Sequence, residues 1–317
     1  MNMLITGATG FIGTALSLRM IHKGWQVRGA VRSLSDQARL PSGVEAVSAG
    51  SVGPDTVWAH ALSGVDIVVH LAARTHVTHE VDVDPLIAYR MINVAATERL
   101  ARAAVAAGVK RFIYLSSVKV NGEGRAEPYT EQDMPAPEDP YGISKWEAEQ
   151  ALHRIAEETG MDVVILRPPL VYGPGVKANF LALINIVRCG IPLPFAGVQN
   201  RRSLLYIGNL VDAVITVCIR SEAAGQTYLV SDGVDVSTPE LIRRIAGAFG
   251  RPARLFLFPV PVMRIVGRFL GKSSAIERLC GSLAIDSSKI SRDLRWNAPF
   301  TMEQGLKETA EGFRKKG

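Results

Sequence analysis

Through the first half of the chain, short β-branched or apolar runs alternate with longer amphipathic segments, the pattern of βαβ units around a parallel sheet. Strands are expected near residues 3–5, 26–31, 44–49, 67–71, 111–115 and 162–167, and helices near 11–23, 55–62, 87–107 and 141–159. Each helix stops close to a glycine, at Gly24, Gly64, Gly108 and Gly160, as a left-handed helix terminus requires. Six strands with crossovers of this length fit one doubly wound α/β sheet.

After Pro168 the pattern breaks into shorter pieces at Pro168-Pro169, Gly173-Pro174-Gly175, Pro192 and Pro194. A division is expected between a sheet domain over 1–172, with a returning segment near 203–220, and a smaller substrate lobe over most of 173–317. The apolar stretch at 255–270 is broken by Pro259, Pro261, Arg264 and Arg268, so it is no membrane span. A helix packed on the second lobe is expected there, in preference to one lying on a membrane surface.

A hydrophobic fraction of 47% against 21% charged residues excludes a disordered chain. The net charge of +6 comes from dispersed basic residues without an interleaved aromatic platform, which argues against a nucleic-acid partner. Cys189, Cys218 and Cys280 are too few and too scattered for a disulfide framework or a paired zinc motif. The chain opens on Met-Asn-Met-Leu-Ile-Thr-Gly without a basic, then apolar leader, so a cytoplasmic protein with no membrane insertion is expected. His70, His76, His79 and Asp82 do not form a metal-ligand pattern, and no metal is expected.

Candidate chemistry begins at Thr6-Gly7-Ala8-Thr9-Gly10-Phe11-Ile12-Gly13, between the first strand and the first helix. Glycines there let backbone N–H groups and the positive helix end approach a diphosphate, the arrangement of a Rossmann-type dinucleotide fold. Gly7, Thr9, Gly10, Phe11, Ile12 and Gly13 are therefore cofactor-binding candidates. The second strand ends in Val31-Arg32-Ser33 and not in the acidic residue that binds a ribose 2′-hydroxyl. Arg32, helped by Ser33, favours the 2′-phosphate of NADP(H), with NAD(H) as the alternative.

Tyr141 and Lys145 stand four apart, on one face of a helix for which Asp139 and Pro140 supply the N-cap and first position. A neighbouring ammonium and the positive helix end both favour the phenolate, so the pair suits proton transfer. Upstream, Ser116 and Ser117 end a buried strand at the carboxyl edge of the sheet, where ligands of open α/β sheets bind.

Together with His70-Leu71-Ala72-Ala73 and Asn93, these residues resemble the extended short-chain dehydrogenase/reductase family. Arg167-Pro168-Pro169-Leu170-Val171-Tyr172-Gly173-Pro174 and the segment 286–306 extend the resemblance over essentially the whole chain. It implies that Tyr141 is the acid/base, that Lys145 holds the nicotinamide ribose, and that Ser117 orients the reacting oxygen, with Ser116 a bystander. It also places Leu71, Ala72, Ala73, Asn93, Pro168 and Val171 along the cofactor, and a homodimer across the helices near 87–107 and 141–159. One departure is Ser51, where many relatives carry an adenine-binding aspartate.

Relatives of this kind act mostly on nucleotide sugars. Val118-Lys119 stands where the dehydratases carry Asp-Glu, which argues against dehydration. The segments 116–122, 141–145 and 200–209 resemble a bacterial polysaccharide subgroup containing UDP-N-acetylhexosamine 4-epimerases and 4-keto-6-deoxy-hexulose reductases. Arg32 favours the reductase, acting on a UDP-2-acetamido-2,6-dideoxy-hexulose. A 4-epimerase with retained NAD is the alternative, and a non-catalytic NADP(H) sensor is the reading from another class, disfavoured by the complete Ser117, Tyr141 and Lys145. The resemblance makes Arg202 the expected diphosphate ligand, with Asn179, Arg278 and Lys119 as further substrate contacts.

Overall fold

The computed structural model describes residues 1–75, 84–269, 271 and 273–314. His76, His79 and Asp82 of the metal reading lie outside the described residues, and no group of metal-ligating side chains occurs among those described.

The first half forms as its pattern requires. Strands β1 (Asn2–Thr6), β2 (Gln26–Val31), β3 (Glu45–Ser48) and β4 (Ile67–His70) alternate with helices α1 (Phe11–His22) and α2 (Ala59–Leu62). The expected helix over 87–107 begins earlier and is interrupted: α3 (Pro85–Arg90) runs through a π-helical segment (Met91–Ala95) into α4 (Ala96–Ala106). The wider turn puts Asn93 inside the protein, a common use of π-bulges at functional sites. Strand β5 (Arg111–Leu115), helix α5 (Pro140–Thr159) and strand β6 (Asp162–Arg167) follow. Helix α5 starts where the side chain of Asp139 accepts from the Gly142 amide at 2.7 Å, and it ends on Gly160 at φ +74°.

Beyond it come β7 (Leu170–Tyr172), α6 (Ala178–Arg188), β8 (Arg202–Tyr206), α7 (Ile207–Ile219), β9 (Thr227–Leu229) and β10 (Asp235–Val236). The chain closes with α8 (Thr238–Ala248), α9 (Val260–Phe269), α10 (Ser273–Cys280), α11 (Ser288–Leu294) and α12 (Met302–Arg314). The main sheet has seven parallel strands in the order β3-β2-β1-β4-β5-β6-β9, and a second sheet has the order β10-β8-β7. The seventh strand, at Thr227–Leu229, joins the main sheet beside β6 and was not among the six expected. Three residues are too short to announce a strand by periodicity.

One apolar core, with Ile5, Leu16, Val164, Leu204, Leu210 and Leu306, joins one sheet face to α1, α7 and the C-terminal helices. A second, with Leu4, Trp58, Leu100, Phe112 and Leu152, fills the face beneath α2, α4 and α5. Burial on both faces explains why the central strands read as continuous apolar runs. No helix among the described residues is long and apolar enough to cross a membrane.

Candidate active site

At the carboxyl end of β1 the chain turns through Gly7 at φ +69°, where an added Cβ would lie 3.0 Å from the amide nitrogen of Ala72. A Cβ on Gly13 would lie 2.2 Å from the Gly7 carbonyl oxygen. Both glycines are therefore demanded by close backbone approach. Gly10 caps α1 without a side chain, and the first turn of α1 carries no acidic residue, so its positive end is left for an anion. Phe11 lies beside Gly175, which puts the loop after β7 against the start of α1. This cradle fits the diphosphate of a dinucleotide.

A buried chain of hydrogen bonds ties this loop to the next. Thr6 Oγ1 accepts from the amides of Leu71 (3.2 Å) and Ala72 (3.1 Å) and donates to His70 Nδ1 at 2.6 Å. Thr97 Oγ1 donates to the Asn93 carbonyl, so His70 Nε2 donates to Thr97 at 2.9 Å. Burial, reinforced by the Lys145 charge, lowers the His70 pKa to about 3. His70 is thus a neutral structural link. Asn93, expected along the cofactor, accepts from the Arg74 amide at 2.8 Å and donates to the Arg74 carbonyl and to Ser144 Oγ. Its amide fixes the loop after β4 to the first turns of α5.

Ser117, two residues past β5, is extended and caps a short 3-10 turn (Val118–Val120), and its side chain hydrogen-bonds Tyr141. Lys145, one turn beyond Tyr141, donates from Nζ to the Leu115 carbonyl at 2.7 Å and lies 4.4 Å from the centre of the Tyr114 ring. The three residues therefore meet at the carboxyl edge of β5. Their protonation differs from expectation: burial raises the Tyr141 pKa, with the Asp139 charge adding to the effect and the Ser117 hydrogen bond opposing it. Burial also lowers Lys145 to about 7, against the pull of Glu149. Desolvation outweighs the positive helix end that the sequence pattern emphasises.

Two charged residues were given no role by sequence reasoning. Glu149 and Arg167, both buried, form a bidentate pair in which Arg167 Nε lies 3.0 Å from Glu149 Oε1. Ser116 donates to Glu149, and Arg167 donates to Asn121 at 3.1 Å. Ser116, the expected bystander, thus belongs to the network that locks β5, β6 and α5 together. The signal was present as a third residue, Glu149, at the same spacing of four after Tyr141 and Lys145.

The expected substrate residues divide. Arg202 Nη1 donates to the carbonyls of Arg278 (2.6 Å) and Gly281 (2.9 Å), so Arg202 and Arg278 do come together. Burial lowers the Arg202 pKa; the Glu123 charge opposes this and the Arg278 charge adds to it. Lys119 is ion-paired to Asp139 and, at 2.6 Å, to Glu123, which links the tyrosine helix to the arginine pair. Burial would lower Lys119, but these two carboxylates raise it on balance. Lys119 therefore anchors the α5 cap through Asp139. Asn179 is exposed in the first turn of α6. Arg32 is exposed after β2, whereas the Ser33 hydroxyl accepts from the amide and hydroxyl of Ser35. Pro168 is buried and its carbonyl accepts from the Val118 amide at 3.0 Å; Val171, half-buried, pairs with Leu205.

A glycine cradle beside Ser117, Tyr141 and Lys145 on one sheet edge defines a short-chain dehydrogenase/reductase enzyme that uses a nicotinamide dinucleotide. The model of the NAD dependent epimerase/dehydratase family matches residues 3–231, and the chain belongs to that family. It is 43% identical to a UDP-glucose 4-epimerase of Vibrio cholerae, covering 98% of this chain and 95% of the relative. It is 31% identical to a UDP-glucose 4-epimerase of Mycolicibacterium smegmatis, covering 100% and 99%. Among solved structures, UDP-glucuronic acid 4-epimerase from Bacillus cereus in complex with NAD superposes with a TM-score of 0.81 at 21% identity, covering 100% and 99%.

Proposed function

We propose that the chain is a nucleotide-sugar 4-epimerase that keeps its dinucleotide bound through the reaction. The 43% identity to a UDP-glucose 4-epimerase across 98% of the chain carries this reading. It displaces the 4-keto reductase expected from the sequence, which rested on Arg32.

A dinucleotide held by the glycine cradle would supply the hydride acceptor and donor for chemistry at the sugar C4. Ser117 hydrogen-bonds the C4 oxygen; as the C4 hydroxyl is oxidised Tyr141 takes its proton while passing its own phenolic proton toward the neutral amine form of Lys145, and the reverse transfer reprotonates the oxygen on reduction. Lys145, poised near pH 7, orients the nicotinamide ribose and supports the tyrosine. Gly7, Thr9, Gly10, Phe11, Ile12 and Gly13 hold the diphosphate of the dinucleotide, with Leu71, Ala72, Ala73, Pro168 and Val171 lining it. Arg202 and Arg278 hold the diphosphate of a UDP-linked sugar, and Asn179 lies along the same ligand. A preference for NADP over NAD is supported by the exposed Arg32 at the ribose end of β2. A homodimer is supported by exposed Ile87 and Met91, one turn apart on the helix expected at its interface.

Incubation of the purified chain with UDP-glucose, and separately with UDP-N-acetylglucosamine, tests the reading. One of them converts to a mixture of C4 epimers without net change in nicotinamide absorbance. Consumption of NADPH with a UDP-4-keto-6-deoxy-N-acetylhexosamine, and no epimer, would restore the reductase. Nucleotide released on denaturation tests the Arg32 reading: NADP from the wild type and NAD from Arg32→Asp is the expected pair.

A further inference from the structure

The second lobe carries an apolar surface that the reaction does not use. Helix α9 has three faces. Met263 and Gly267 are buried, and Gly267 packs so closely on α10 that an added Cβ would lie 2.3 Å from Ile276 Cδ1. Val262, Ile265, Val266 and Phe269 share a second face by helical spacing and are all exposed, Ile265 at 55% and Phe269 at 87%. Arg264 and Arg268 form the third. Just before the helix in sequence, Phe256, Leu257 (78% exposed) and Phe258 are exposed as well. Phe256 is pinned there by backbone hydrogen bonds to Leu193 and Ala196, so this segment is held in place. Only the Met263 and Gly267 face of this helix packs inward, and an exposed row of large apolar side chains on the neighbouring face marks an interaction surface.

Charge identifies the occupant. From Gly250 to Cys280 the sequence holds Arg251, Arg254, Arg264, Arg268, Lys272 and Arg278 against Glu277 alone, which pairs with Arg264 at 3.0 Å and leaves the segment strongly basic. A second copy docked on this face by two-fold symmetry would bring the same arginines together. An anionic surface neutralises them. We infer that this surface docks on an anionic lipid bilayer, with the 262/265/266/269 face and Leu257 at the headgroup–acyl boundary and the arginines at the level of the phosphates. A ten-residue helix is too short to span, so it lies in the interface. Because α9 leads into α10, whose Arg278 carbonyl is held by Arg202, docking brings the arginine pair close to the membrane.

Flotation of the purified full chain with phosphatidylcholine vesicles containing roughly one-third phosphatidylglycerol tests the inference. The wild type co-floats with these vesicles at low salt, not with phosphatidylcholine alone, and is released at high salt. The double variant Leu257→Ser/Phe269→Ser binds about tenfold less or weaker still, with unchanged thermal unfolding and dinucleotide content. Arg264→Gln/Arg268→Gln loses the preference for anionic vesicles. Absence of wild-type flotation at low salt, or equal flotation of the apolar variant, overturns the inference. So does light scattering that finds a wild-type dimer and a monomeric Leu257→Ser/Phe269→Ser, which assigns the face to a second copy.

Discussion

Burial decides the chemistry of Tyr141 and Lys145. Desolvation keeps the tyrosine a phenol while drawing the lysine down to about 7, so the site holds a ready hydrogen-bond donor beside a titratable amine. Tyr141→Phe preserves the ring and its packing but removes the proton. The expected outcome is retained dinucleotide with turnover lower by a factor on the order of 10² to 10⁴, read by single-turnover kinetics. At His70 the consequence is for stability. Its folded pKa of about 3 lies below the ordinary 6.5, so between these values the unfolded chain binds the extra proton. The contribution is fully present above pH 6.5 and is lost as pH falls toward 3. Denaturant titrations across that window should show stability falling by about 1.4 kcal/mol per pH unit from this group, a slope removed in His70→Asn. An equal slope in both proteins would assign the acid lability elsewhere.

Among elements, the Glu149–Arg167 pair does for β5, β6 and α5 what the Thr6–His70–Thr97 chain does for β1, β4 and α4. Removing one partner of a buried pair leaves the other charge unsatisfied. Glu149→Gln should therefore cost about 3–5 kcal/mol in chemical denaturation; a cost under about 1 kcal/mol would show that the pair is not what holds these elements together. Gly13→Ala tests the cradle, because its Cβ would overlap the Gly7 carbonyl. Loss of dinucleotide and about 1–3 kcal/mol of stability are expected, by fluorescence titration and melting. The cradle and the tyrosine helix were legible in the sequence because each is a local pattern: glycines at a strand-to-helix turn, and a capped helix with residues at a spacing of four. The buried ion pair joins residues from two elements and was not. Nor was the π-helical segment, whose residues carry ordinary helical periodicity and within which Asn93 bonds both Arg74 and Ser144.

At the scale of the molecule, the main sheet brings the ends of β1, β4, β5 and β6 to one edge, and the second sheet sets Arg202 of β8 beside Arg278 of α10. Glu123, paired to Lys119 and close enough to act on Arg202, connects the two halves of the site. Six of the seven main strands were readable as apolar runs, since a buried parallel strand is apolar on both faces. The helices after residue 235 were less so, because their partners come from distant parts of the chain. One product measurement tests the central claim, that Tyr141 and a retained dinucleotide carry out a reversible oxidation at C4. The UDP-hexose that the enzyme converts is incubated in deuterium oxide without added cofactor, and the epimer is examined by proton NMR. Internal return of the hydride predicts an epimer with protium at C4; deuterium at C4, or no epimer while NADPH is consumed by a 4-keto sugar, would contradict it.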